Sequence, residues 1–371
     1  MNQQSDEQIK YAIEKDEPAL ALSLYNRRLA SQNSSSSIVP PWLALKLARF
    51  LMRSYQLDEA LSIARAYLSM DSDCPGFTGE IINELRICQS QSTYLGDRIS
   101  SFVESYCSIA NTTWQPLSYK NFFDTLEVCL AANKPFSYIR LGDGEGNALA
   151  YSADCSNEGL SEWSSKIHDL QFGANIINSK CQIHIGNLMR EACESADVIG
   201  IIKPNNLLGK IIDRSWSADR QIAGNLAVYD YIINSFDPKG SFPYTDSSVH
   251  KDKVWQEKLI DLISSLDFIG VIGPHPESLA AFSALGIHSL VYHQVPAEFK
   301  YFKPAARHFP EAFQLICKSI NPPYQGALYL VGGGLLGKYY CNLIKQKGGC
   351  AIDVGSFMDE MAGHTHTRDN V

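Results

Sequence analysis

The stretch LYLVGGGLLGKYYCNLIKQKGGCAID, Leu328–Asp353, decides the fold class. Leu328–Val331 is a short apolar run, the pattern of a strand buried on both faces. Glycines 332–334 end it, Leu335–Lys347 has helical periodicity, and Cys350–Val354 reads as a second buried strand. Strand, tight turn, helix and strand in succession form the βαβ unit of a parallel sheet. Gly332, Gly334 and Gly337 are spaced G-x-G-x-x-G between strand and helix, with Asp353 ending the next strand. That spacing predicts an anion held by backbone N–H groups at a helix N-terminus. Small residues here serve close helix–strand packing equally well. A dinucleotide-binding domain would continue with several more strands after the fingerprint. Here the fingerprint stands near the end of the sequence, so it closes a sheet, which weakens a dehydrogenase reading.

Working outward, the same alternation begins after Trp114-Gln115-Pro116. Helices are predicted at Phe122–Ala132, Leu188–Ser195, Ala218–Phe236, Val254–Ser264, Ser278–Leu285 and across Pro304–Ile320. Strands are predicted at Phe136–Leu141, Gln182–Ile185, Val198–Ile202, Phe268–Ile272 and Ser289–Tyr292. Residues before this point read as all-helical: Ile9–Ser31, then a serine-rich linker at Ser34–Ser37, then Trp42–Tyr55 and Leu57–Met70. Two further helices are predicted at Gly79–Gln91 and Leu95–Ile109. Ala44, Ala48, Ala60 and Ala64 suit the close packing of a tetratricopeptide-like hairpin, although no clean repeat is present. The expected division is a helical domain over 1–112 and an α/β domain over 113–371, a Rossmann-like sheet with flanking helices.

The chain has 371 residues, enough for two domains, and 45% are hydrophobic, enough for a sizeable core. A net charge of −8 lacks the basic footprint of nucleic-acid binding, so no nucleic-acid partner is expected. The ten cysteines include no C-x-x-C pair and mostly sit in apolar stretches, as small hydrophobes do. With no secretory signal and no long apolar run, the expected setting is a reducing cytoplasm. The histidines show no H-E-x-x-H and no Cys/His zinc spacing, and His364 and His366 read as surface residues. No G-x-S-x-G elbow and no G-x-x-x-x-G-K-[ST] phosphate loop is present.

FSYIRLGDGEG, Phe136–Gly146, carries the chemistry. A buried strand ends in an acidic, glycine-rich turn with Asp143 and Glu145 spaced D-x-E and Arg140 at the strand tip. In an extended turn two such carboxylates point the same way and share one hard cation, Mn²⁺ or Mg²⁺, beside substrate phosphates. Asp and Gly are also ordinary turn formers. Ligands of open α/β sheets bind at the carboxyl ends of strands. The other candidates are therefore Lys203, Asn205, Asn206, His275, His293, the glycines 332–334 and Ser356.

Pro135–Glu145 and Leu328–Ser356, in this order, resemble the opening and closing motifs of bacterial GT-D-fold glycosyltransferases; Asp359–Arg368, with GHTHTR, is similar to the tail of some relatives. The resemblance covers about residues 115–371 and leaves the helical N-terminus outside. It implies transfer of a sugar from a nucleotide-diphosphate donor to a glycan, lipid-linked or protein acceptor in cell-surface polysaccharide assembly. It also implies a divalent metal held by Asp143 and Glu145. Arg140, Gly142, Gly144, Gly332, Gly333, Gly334, Asp353, Ser356 and Arg368 would then bind substrate, and His250 or His275 would supply a base. Such an enzyme would work in the cytoplasm, where a polymer or lipid-linked acceptor would fit the inner face of the membrane; the N-terminal helices, outside the resemblance, offer a surface to a protein partner. Two alternatives remain: an NAD(P)-dependent oxidoreductase using Gly332, Gly334, Gly337 and Asp353, and a non-catalytic helical-repeat binding protein.

Overall fold

In the computed structural model, the residues described are all but 1, 31–38, 55, 69–77, 111–115, 174–176, 214–218, 237–242, 303, 305 and 365–371. Seven short strands form one parallel sheet: β1 (Phe136–Arg140), β2 (Val198–Ile201), β3 (Tyr244–Asp246), β4 (Phe268–Gly273), β5 (Ser289–Gln294), β6 (Leu328–Val331) and β7 (Cys350–Asp353). Their order is β3-β2-β1-β7-β6-β4-β5, so the first and last strands pair at the centre, Tyr138 opposite Ile352. Parallel strands need crossover helices, and helices cover both faces, which is why central strands such as β4 are apolar and buried at every position.

Side chains alternate between two cores. Ile139, Ile199, Ile272, Tyr329 and Val331 point into one, beneath α7 (Asp143–Ala153), α8 (Glu158–Phe172), α9 (Ser179–Ser195), α11 (Asp219–Ser235) and α16 (Gly334–Gln346). Tyr138, Ile269, Val271, Leu330 and Ile352 point into the other, beneath α6 (Tyr119–Ala131), α12 (Lys253–Ser264), α13 (Ser278–Ala284) and α17 (Phe357–Met361). The chain leaves β1 and β6 toward the first layer and leaves β7, between them, toward the second. A crevice opens where neighbouring strands diverge in this way.

A separate core joins α1 (Asn2–Glu14), α2 (Pro18–Ala30), α3 (Pro41–Arg53) and α4 (Leu57–Leu68). Ala44, Ala48, Ala60 and Ala64 are all buried in it, as close packing requires. The expected helix over Ile9–Ser31 is two helices, since the chain turns at Asp16 (φ 58°) and Pro18 opens α2. The two helices expected between Gly79 and Ile109 are one, α5 (Thr78–Ala110), because no proline interrupts the run and Gly96 is tolerated. The serine-rich linker at Ser34–Ser37 lies outside the described residues.

Three corrections concern the α/β part. Gln182–Ile185 is not a strand but part of α9, which Asn178 starts by accepting the Cys181 N–H; four residues of QIHI do not distinguish the two periods. Pro304–Ile320 holds a cis Phe309–Pro310 bond and an irregular turn at 308–312, and only α15 (Phe313–Ser319) is regular α-helix. β3 and the helices α7, α8, α10 (Pro204–Ile212), α14 (Phe299–Phe302) and α17 have no counterpart among the elements expected.

Candidate active site at the strand ends

The GDGEG segment does not form an extended turn. Gly142 is the N-cap of α7, and Asp143 and Glu145 occupy its first turn. Glycine-rich sequence disfavours a helix here, and packing overrides that preference. A Cβ on Gly146 would lie 1.7 Å from the Gly224 carbonyl oxygen, and one on Gly224 would lie 2.0 Å from that of Asp143. Bare glycine backbones let α7 and α11 touch. The contact sets Asp143 within the field of Arg220, on the first turn of α11.

Residues two apart on a helix project in widely different directions. Glu145 turns back, its Oε2 accepting the Gly142 N–H at 3.0 Å and its Oε1 meeting Lys338 Nζ at 2.6 Å. Lys338 also lies 3.0 Å from Asp353 Oδ2 and donates to the Gly334 carbonyl. Asp353 Oδ1 is 3.3 Å from Arg140 Nη2 and accepts the Gly355 N–H. Arg140, Asp353, Lys338 and Glu145 thus form an alternating chain of charges at the tips of β1 and β7. Burial opposes the charge on Asp353, yet Arg140 and Lys338 outweigh it and hold the carboxyl down at about 2. Burial also opposes the charge on Glu145, and Lys338 overrides it, leaving the carboxyl below its ordinary value. On Lys338, burial is outweighed by Asp353 and Glu145, and its ammonium binds its proton more tightly than usual.

Asp143 behaves differently. Burial raises its carboxyl from its ordinary value, and Arg220 only partly offsets this. It lines a cleft of about 420 Å³ over the strand ends, together with Arg140, Gly142, Gly144, Glu145, Arg220, His250, His275, glycines 332–334, Lys338, Asp353 and Ser356. The structure therefore brings the residues expected from the two glycine-rich motifs together in one cleft. Arg368 lies outside the described residues. Arg220 and Lys338 were missed. Lys338 had a signal, a lone cation in the apolar run Leu335–Cys341 immediately after G-x-G-x-x-G, whereas Arg220 had none.

Three expected roles need correction. Both oxygens of Glu145 are engaged by Lys338 and Gly142, and its helix position turns it from Asp143. The D-x-E pair as disposed does not fit a shared cation. His250 is a poor proton acceptor: burial, then Arg140, depress its ring to about 2, and its Nδ1 accepts the Arg140 Nη1 hydrogen bond at 2.6 Å. It holds Arg140, with the Ser247 carbonyl accepting from the same nitrogen. Asp353 is locked between two cations and is not free to bind a ribose, which removes the acidic partner a dinucleotide reading needs.

The glycine turn after β6 is partly covered. Gln171 Oε1 accepts the Leu335 N–H at 3.0 Å, so one of the N–H groups an anion would use has a protein partner. Gly334 has φ 58°, the left-handed region, while a Cβ on Gly332 would press on Met358 of α17 at 2.9 Å. The glycines serve turn geometry and close packing as well as the cleft wall. His293 lies away from the cleft, its Nδ1 paired with Ser319 at 2.8 Å. Lys203 is 3.6 Å from Asp246 across β2 and β3, and Asn205 and Asn206 follow on α10; none of these lines the cleft.

A wider depression of about 710 Å³ lies along α5 and the loop before α8, lined by Arg86, Tyr94, Arg98 and Asp154 among others. It is away from the strand ends, and its Arg98 is already paired with Asp230. No described helix is long and apolar enough to cross a membrane. Comparison with protein-family models, with curated proteins and with solved structures finds no match for the chain.

Proposed function

We propose that the chain is a glycosyltransferase of GT-D type, moving a sugar from a nucleoside-diphosphate donor to a hydroxyl of a glycan, lipid-linked or protein acceptor. The observation that carries this reading is Asp143, a carboxylate of raised basicity in the strand-end cleft with Arg220 beside it. A carboxylate tuned upward is suited to general-base work. In the proposed step the acceptor O–H gives its proton to Asp143, and its oxygen bonds to the sugar anomeric carbon. The bond from that carbon to the β-phosphate oxygen breaks, and the nucleoside diphosphate leaves with the electron pair. Arg220 is placed to meet the negative charge that develops on the leaving diphosphate. The Arg140–Asp353–Lys338–Glu145 chain fixes the β1 and β7 tips on which Asp143 is mounted, and no step is routed through a metal.

The remaining parts of this reading are a cytoplasmic setting at the inner membrane face, polysaccharide assembly, and α1–α4 as tetratricopeptide-like hairpins offering a surface to a protein partner. The buried alanines between α3 and α4 support the hairpin reading.

The test is a thermal-shift screen with UDP-, GDP-, CMP- and dTDP-sugars and NAD(H), followed by transfer assays. One nucleotide sugar is expected to stabilise the chain; at a hundred times its Kd the gain is about 2.7 kcal/mol. Asp143→Asn is expected to keep that shift while transfer falls about 10²–10⁴-fold. A shift with NAD(H) alone, or full transfer by Asp143→Asn, would overturn the proposal.

A further inference from the structure

Beside the cleft, three side chains from two distant segments converge. His275 and Glu277 stand in the turn after β4, and His364 follows α17. One ligand atom from each lies within 4.8 Å of the other two, and among the described residues this is the group of three with metal-ligand geometry. The His275 and His364 rings are 4.3 Å apart between centroids. Asp359 Oδ1 lies 3.4 Å from His275 Nε2, placing a further carboxylate at the edge of the group.

The local backbone is built for this convergence. Pro274 and Pro276 flank His275 and restrict the turn, and two residues on, Glu277 is the N-cap of α13. On the other segment Gly363 adopts φ 77° after α17, and His364 N–H donates to the Asp359 carbonyl at 2.9 Å, turning the chain back toward β4. His275 is buried, His364 half-buried and Glu277 exposed, so the group is anchored on one side and open on the other.

We propose that His275, Glu277 and His364 bind one divalent transition metal of the zinc class. Two imidazole nitrogens and one carboxylate oxygen favour zinc-like ions over Mg²⁺ or Ca²⁺, which prefer all-oxygen shells. Metal–ligand bonds of about 2.0–2.2 Å put tetrahedral ligand atoms roughly 3.3–3.6 Å apart. Side-chain rotation closes the remaining gap. Three protein ligands leave a fourth position open to water or a substrate oxygen. His275 and Asp359 also line the cleft, so that position is beside the substrate space. The site is distinct from the Asp143–Glu145 pair, and the inference does not depend on the sugar-transfer reading.

The test uses tag-free, full-length protein stripped with chelator, titrated with Zn²⁺ and, separately, Co²⁺. Bound metal is measured by elemental analysis after desalting, and Co²⁺ coordination by its visible absorption bands. One equivalent is expected, with a Co²⁺ spectrum of low coordination number. His364→Ala and Glu277→Gln, each checked for native circular dichroism without metal, are expected to weaken binding at least about tenfold. Asp143→Asn and Glu145→Gln, held to the same circular-dichroism check, are expected to bind as the unaltered chain does. Absence of a tight equivalent overturns the proposal, as does undiminished binding by both His364→Ala and Glu277→Gln. Loss of binding in the Asp143 or Glu145 variants instead would move the metal to those carboxylates and also overturn it.

Discussion

Asp353→Asn is the sharpest probe of the charge chain beneath the cleft. The substitution keeps the shape and removes one of two negative charges, leaving Arg140 and Lys338 facing Glu145 alone. Lys338 Nζ is 3.0 Å from Asp353 Oδ2. At an effective dielectric of about 20, charges that close attract by roughly 5 kcal/mol, before the desolvation that opposes them. Removing one partner of a buried pair strands the other, at about 3–5 kcal/mol. Lys338→Met strands the two carboxylates with Arg140 alone and is expected to destabilise by a similar amount. The double variant restores neutrality through Arg140 and Glu145. Its loss should fall short of the summed single losses by about 1–3 kcal/mol. Urea unfolding at neutral pH, followed by circular dichroism, measures all four proteins. Strictly additive losses, or an Asp353→Asn change within about 0.5 kcal/mol, would refute the coupled chain.

Further expectations concern pH, backbone and base. Asp353, held down at about 2, and Glu145, also depressed, stabilise the fold fully above the ordinary carboxylate range. That stability is lost as pH falls from about 4 toward 2, so the urea midpoint should drop across this window, and less steeply in Asp353→Asn. Gly355 has φ 49°, and a Cβ there would lie 1.9 Å from Arg140 Nη2, so Gly355→Ala should lower stability by about 1–3 kcal/mol. Gly209, in α10 with open space around it, should show the opposite sign, a gain of about 0.5–1 kcal/mol as Ala, and thermal unfolding reads both. His250→Gln should lower transfer without moving the acidic limb of the kcat/KM profile; a moved limb would mean that His250 titrates in the reaction after all.

The alternation of strands and helices from β1 to β7 was legible because buried parallel strands leave uninterrupted apolar runs. What was illegible depended on contacts between distant segments. GDGEG reads locally as a turn, and it is helical because Gly146 meets Gly224, some eighty residues on. Glu145 and Asp353 were singled out and both line the cleft, but the identity of their partner Lys338 fixes what they do. His250 looked like a base because histidine titrates near neutrality, and burial first, then the packing of Arg140 against its ring, remove that capacity. His364 was read as a surface residue, and its half-buried place beside the His275 ring depends on a contact between distant segments.

Helix α5 gives the two parts of the chain a common wall. Cys88 is buried with α1–α4, while Tyr94, Leu95 and Phe102, further along the same helix, are buried with the sheet helices. Its 33 residues span about 50 Å as one continuous rod. A cut at residue 112 would therefore not separate two finished modules. It would strip an aromatic patch from one fragment and leave it on the other, so both halves would carry newly wetted apolar surface. A fragment beginning at Thr78 keeps Tyr94, Leu95 and Phe102 against the sheet helices, and in turn uncovers the stretch around Cys88 that packs on α3 and α4.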